Sequence, residues 1–234
     1  MTDPERPRQR MTKGERTRQR IIDSATELFS RSGYRAVSLR DIAAHAGLTH
    51  AGVLHHFPDK EATLIHVLSR RDEIDAPLVL DPGLSHRALI ENILWIVERN
   101  ADTPRLVSLY VNLSAEATDP AHPAHKYFVQ RYRVLRESLT TAFTVLLGNR
   151  DTPSPQVAAQ QFLALQDGLQ IQWLLEPEVV NMRATVLSYL RGLGIELPEE
   201  PILRRPETDL EAGHDLMAEA SRRTIDPGST DPDR

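Results

Sequence analysis

The residues of this chain that could do chemistry gather between Ser38 and Lys60. Hydroxyls (Ser38, Thr49), imidazoles (His50, His55, His56) and cations (Arg40, Lys60) recur there at short intervals. Such groups bind phosphate oxygens and base edges; they do not by themselves make or break bonds. Elsewhere the signals for catalysis are weak. Glu116 with Asp119, and Asp167 with Glu176, read as charged helix faces. His55–His56 and His122–His125 lack acidic or thiol partners at ligand spacing, so no metal is expected. The absence of cysteine excludes disulfides, thiolate sites and a cysteine nucleophile. No GxSxG, P-loop or HExxH segment occurs. The reading is therefore not an enzyme, with no cofactor called for.

These polar residues need helices to hold them. Ser38 precedes Leu39, Ile42, Ala43 and Ala46 at helical spacing, and Asp41 stands where a capping-box acid would. Gly47 ends that short helix and Thr49 starts another through Phe57. Two short helices joined at a glycine predict a helix-turn-helix, whose second helix lies in a DNA major groove. Three positions fit its geometry in register: the small Ala43 at the crossing, Gly47 in the turn, and Val53 facing inward. Ala51 and Leu54 are also expected to turn inward. A preceding helix is read from Thr17 to Gly33 on Ile21, Ile22, Ala25, Leu28 and Phe29. A following one starts at Asp59, runs toward Asp75 and is limited by Pro77.

The net charge of −5 hides a division. Residues 1–60 carry eleven Lys and Arg against seven Asp and Glu, a net of +4, and the remainder is −9. This predicts a basic module on an acidic body. Residues 1–14 read as a disordered basic arm with Arg6, Arg8, Arg10 and Lys13, continued by Arg16, Arg18 and Arg20. Helical patterns resume at 86–100, 106–117, 124–147, 156–176 and 178–193. Residues 199–234, acidic and punctuated by proline, read as mostly disordered. Period-two alternation never persists, so the class is all-α with about nine helices. No apolar run is long enough for a membrane span, and no secretory leader is read, so the simplest expectation is a soluble cytoplasmic protein.

The stretches RIIDSATELFSRSGY (20–34) and SLRDIAAHAGLTHAGVLHHFPDKEATL (38–64) resemble the TetR/AcrR family of bacterial transcriptional regulators. LQDGLQIQWLLEPE (165–178) resembles the penultimate helix of many members. The resemblance implies a three-helix DNA-binding domain at 15–75, with the helix-turn-helix at about 38–57. It also implies an effector-binding and dimerisation domain at 76–198. The implied activity is that of a homodimeric, effector-responsive repressor on a palindromic operator. The sequence departs from the family at Leu54 and His50, where most members carry Tyr and Lys.

The candidate DNA contacts are Ser38, Arg40, Thr49, His50, Ala51, Gly52, His55, His56 and Lys60. Ser38, Arg40 and Lys60 are assigned to phosphate. Helical bundles place ligands between facing helices. The candidates for a small-molecule effector there are Trp95, Tyr110, Phe128, Tyr132, Gln166, Gln170 and Trp173. The last two helices are apolar on more than one face, which predicts a dimer interface through Phe162, Leu165, Leu169, Leu187 and Leu190. Alternatives are a helical binding protein or enzyme with a vestigial DNA module, or an activator.

Overall fold

The structure, a computed structural model, describes residues 12–148 and 153–197. Residues 1–11 of the basic arm, the loop residues 149–152 and the acidic tail from 198 lie outside the described residues. Nine helices and no strand are found among the described residues. They are α1 (Lys13–Ser32), α2 (Leu39–His45), α3 (His50–Leu54), α4 (Lys60–Val79), α5 (His86–Asn100), α6 (Pro104–Glu116), α7 (His125–Leu147), α8 (Pro155–Leu175) and α9 (Met182–Gly192). The chain divides into two compact units between Val67 and Leu68, inside α4, whereas the sequence reading places the division after residue 75. None of these helices is long and apolar enough to cross a membrane.

In the first unit the caps fix where helices begin. α1 starts at Lys13, earlier than the periodicity indicates, because Thr12 and Glu15 form a capping box: the Thr12 hydroxyl accepts from the Glu15 amide, and the Glu15 carboxylate accepts from the Thr12 amide. Ser38 and Asp41 repeat the device on α2. The hydrogen bonds from Thr12 and Ser38 hold the Glu15 and Asp41 carboxyls below their ordinary values of 4.5 and 3.8. The stability these boxes lend is therefore full above those values and is lost as pH falls through the lower folded ones. Ile21, Ala25, Phe29, Ile42, Val53, Phe57 and Leu64 fill the core beneath the three short-range helices and the start of α4. Each large apolar side chain so buried contributes about 1.5–3 kcal/mol. Leu54 departs from the expectation: it is 41% exposed, because the one inward position of the short α3 is taken by Val53. Ala51 is exposed as well.

The second unit is built on α7 and α8, with α5 and α9 packed beside them. Phe143 of α7 meets Phe162 of α8 edge-on at 6.0 Å, and Tyr189 of α9 lies 6.1 Å beyond. Phe162, Leu169, Leu187 and Leu190 are buried here, within one chain. Leu165 is half-buried against the same core. Much of the apolar excess that predicted a dimer interface is thus the inside of the second unit, and Phe162, Leu169, Leu187 and Leu190 are not an outer face. Pro77 also departs from expectation, since α4 continues through it to Val79. The turn containing it is anchored by Ala76, Leu78 and Val79 in the core and by the bonds made by Asp75. At the other end, α9 begins at Met182 because the Asn181 side chain accepts from the Ala184 amide at 2.9 Å.

Gly47 lies at φ 63° between α2 and α3, where any Cβ is strained. Gly14 lies in exposed helix with ordinary room for a Cβ. Gly47→Ala should lower stability in denaturant unfolding by about 1 kcal/mol, whereas Gly14→Ala should raise it by about 0.5–1 kcal/mol. Equal effects of both would refute the assigned turn geometry.

Candidate functional site

In the first unit α2 and α3 present a polar outer surface. Arg40, His50, Ala51 and His55 are exposed, while Gly52 and His56 are half-buried. Thr49 caps α3 by accepting the Gly52 amide at 3.1 Å. A Cβ on Gly52 would stand only 3.2 Å from that hydroxyl oxygen, so the cap itself favours glycine there. The Ser38 hydroxyl is engaged twice with Asp41, donating to its carboxylate at 2.6 Å and accepting its amide at 3.2 Å. Its primary work is the α2 cap, which withdraws it from the phosphate role expected of it.

Lys60 is also turned to a structural task. Its ammonium donates to the Tyr34 and Val37 carbonyls, each at 3.0 Å, and lies 4.2 Å from the centre of the Tyr34 ring. It ties the α1–α2 connection to the start of α4. Burial, with Glu61 and Asp59 nearby, pushes the Tyr34 phenol up to about 12, so that ring stays neutral beneath the cation. Arg18 stands on α1 with its guanidinium 5.1 Å from the Phe57 ring centre and within hydrogen-bond reach of His66. It belongs to the fold of this unit and not to a free arm. Arg40, His50 and His55 remain the best placed for a large polyanion.

The second unit encloses a cavity of about 520 Å³. Tyr110, Phe128, Tyr132, Gln166 and Gln170 line it, as the sequence proposes. Trp95 and Trp173 do not. Trp95 carries the Arg99 guanidinium 4.9 Å from its ring centre, and buried Trp173 faces a separate cleft beside Pro177 and Met182.

A charged network that the sequence reading missed forms part of the cavity wall. Asp72 of α4 accepts from Arg131 of α7 at 3.0 Å and from the Tyr127 hydroxyl. Asp75 accepts from Arg71 at 2.9 Å and from Arg99 of α5 at 2.6 Å, and Arg71 also donates to Asn100. Tyr110 donates to the Leu68 carbonyl of α4 and lies beneath Arg131, 5.3 Å from its ring centre. Burial pushes the Asp72 carboxyl up, against the opposing pull of Arg131 and the Tyr127 hydrogen bond. The same burial raises the Tyr110 and Tyr127 phenols, so both remain neutral donors. Only the Arg71–Asp75 pair, four residues apart on one helix, left a trace in the sequence; the partners on α5 and α7 are 24 and 59 residues distant.

With this geometry in hand, the likeness to known proteins falls on both units. Residues 21–67 match the family described as bacterial regulatory proteins, tetR family, and residues 86–194 match the BetI-type transcriptional repressor C-terminal family. The chain belongs to the TetR family. It is a DNA-binding transcriptional regulator. Among its relatives, the transcriptional regulator SrpR of Pseudomonas putida is 31% identical over 143 residues, covering 57% of this chain and 66% of SrpR. The repressor KstR2 of Rhodococcus jostii is 31% identical over 107 residues, 46% of each chain. These alignments thus span 66% or less of either relative. The fold is also that of the SmeT–triclosan complex, with a TM-score of 0.63 at 19% identity, covering 82% of this chain and 100% of that one. No group of three or more His, Asp or Glu able to hold a metal occurs among the described residues of this TetR-family chain.

The two cations of the helix-turn-helix region should separate cleanly. Lys60→Met should cost roughly 1–3 kcal/mol in thermal unfolding, through the loss of two charge-assisted hydrogen bonds. Arg40→Ala should leave stability within about 0.5 kcal/mol. It should weaken DNA binding and lower the slope of log affinity against log salt by about one. The reverse pattern would reassign both.

Proposed function

We propose that this regulator is an effector-responsive repressor that binds a palindromic operator as a homodimer. The observation that carries the reading is α4. Its first turns hold Lys60 and Leu64 of the DNA-reading unit, and its later turns supply Arg71, Asp72, Asp75 and Val79 to the cavity wall. A ligand that favours one placement of these later turns biases the helix to which the reading unit is joined. The change in operator affinity is then set by the ligand's differential affinity for the two states.

The dimer face we propose lies on the outer side of α8. Val157, Gln161, Ala164, Gly168, Ile171 and Leu175 recur every three or four residues. Val157, Ile171 and Leu175 are 42%, 47% and 76% exposed. Ala164 and Gly168 are small, and a Cβ on Gly168 would meet nothing within 4 Å, which leaves room for a partner helix. Ser188 and Gly192 offer a similar small-residue edge on α9. Such stripes support a twofold bundle of helices. The pair of recognition helices would then stand about 34–36 Å apart, one DNA turn.

Leu175→Asp should leave the melting temperature almost unchanged, since the side chain is already exposed. It should convert a dimer to a monomer in sedimentation and abolish tight operator binding. Fluorescence anisotropy with duplexes from the region around the gene tests the whole reading. A palindrome should be preferred over a scrambled duplex by about 10³-fold or more, with a steep salt dependence. Equal binding to both duplexes would refute it.

A further inference from the structure

Leu54 is out of keeping with its unit. Among the described residues it is the one large apolar side chain of the first unit that stands exposed, at 41%. The other exposed large apolar residues, from Val129 to Val179, all belong to the second unit. Leu54 lies on α3, the second helix of the helix-turn-helix and the one that such a motif lays in the major groove. Its place on that helix is specific. Val53 takes the inward position and is fully buried. Ala51 and His55 lie on the opposite side, about 160° of helical turn away, and both are exposed. Leu54 stands three residues after Ala51 and four after His50, so it neighbours both on the helix surface.

A lone exposed leucine on an ordinary surface needs no explanation. On a surface that enters a nucleic-acid groove it does, because leucine has neither donor nor acceptor. It cannot bond to a phosphate oxygen or to a polar base atom. What it can do is exclude water from another apolar group. The apolar group on the major-groove edge of a base pair is the C5 methyl of thymine. Ala51 suits the same contact. Its methyl is small enough for close approach and extends the apolar strip beside Leu54, and His50 and His55 border that strip with polar atoms.

We propose that Leu54, with Ala51 beside it, reads the methyl group of one thymine in each operator half-site. Leu54 is then a specificity-determining residue and not a backbone anchor. This rests on the reading of the protein as an operator-binding dimer. Burial of one methyl group corresponds to about fourfold in affinity. The contact is apolar and displaces no counterion, so it leaves the salt dependence of binding unchanged.

The test uses the full chain to enrich a random-sequence duplex pool. The enriched duplex is resynthesised with deoxyuridine in place of each thymine in turn, which keeps every hydrogen-bonding group and removes the methyl alone. Fluorescence anisotropy with the unaltered protein should find one thymine per half-site whose replacement weakens binding about fourfold. In Leu54→Ala the same replacement should change affinity by less than about 1.5-fold, while the slope of log affinity against log salt stays unchanged. Leu54→Met, apolar and of similar volume, should keep the methyl sensitivity. The deoxyuridine series on the unaltered protein decides the matter if neither variant folds. Absence of any methyl-sensitive thymine, or undiminished sensitivity in Leu54→Ala, would overturn the proposal. So would uniform weakening of every duplex in Leu54→Ala with no effect of deoxyuridine, which would assign the leucine to the sugar-phosphate backbone. A pool that yields no enriched duplex would contradict the regulator reading, and the role of Leu54 with it. An enriched duplex without methyl sensitivity would contradict the thymine contact alone.

Discussion

Two carboxylates three residues apart on α4, both buried, constrain the second unit more than any other feature. Asp72 and Asp75 are about 6% and 8% exposed, and carboxyl groups so buried are costly unless cations and hydrogen bonds meet them. Arg131 reaches one of them, and Arg71 and Arg99 reach the other. Satisfying them draws α5 and α7 to the same side of α4 and fixes one wall of the cavity. It also explains why α4 persists through Pro77: the Asp75 bonds hold the helix just before the proline, and core contacts hold it just after.

The DNA-reading unit is governed by a different economy of polar groups. Its capping hydroxyls and Lys60 are consumed in building it. Thr12, Ser38 and Thr49 cap three successive helices, and Lys60 joins two backbone carbonyls to an aromatic face. A five-residue helix such as α3 has too few internal hydrogen bonds to persist alone. Its cap, the buried Val53 and the turn at Gly47 hold it in place. That fixed scaffold leaves Arg40, His50 and His55 exposed.

The sequence was most legible where local rules suffice. The Ser38–Asp41 box, the turn at Gly47, the inward Val53 and the order of the helices all follow from spacing and cap chemistry. It was least legible where a residue's role depends on distant partners. The apolar richness of α8 and α9 was visible, but not that Phe143 of α7 and the α5 core would absorb it within one chain. Lys60 looked like a phosphate ligand because nothing in its neighbourhood reveals two carbonyls more than twenty residues upstream. Tyr110, Tyr132, Gln166 and Gln170 were found as polar or aromatic breaks in apolar helices. Trp95 and Trp173 shared that signal and failed, since size alone does not tell a cavity wall from a core.

The central claim is that the cavity and the helix pair are coupled through α4, and linkage gives it a direct test. If a ligand weakens operator binding by some factor, the operator must weaken ligand binding by the same factor. Titrating a cavity ligand, selected by thermal-shift screening of the free regulator, into the free regulator and into its operator complex measures both sides of that cycle. The account predicts a weaker dissociation constant on DNA, by at least about fivefold, matched by the loss of operator affinity at saturating ligand. Identical ligand affinity with and without operator would contradict it.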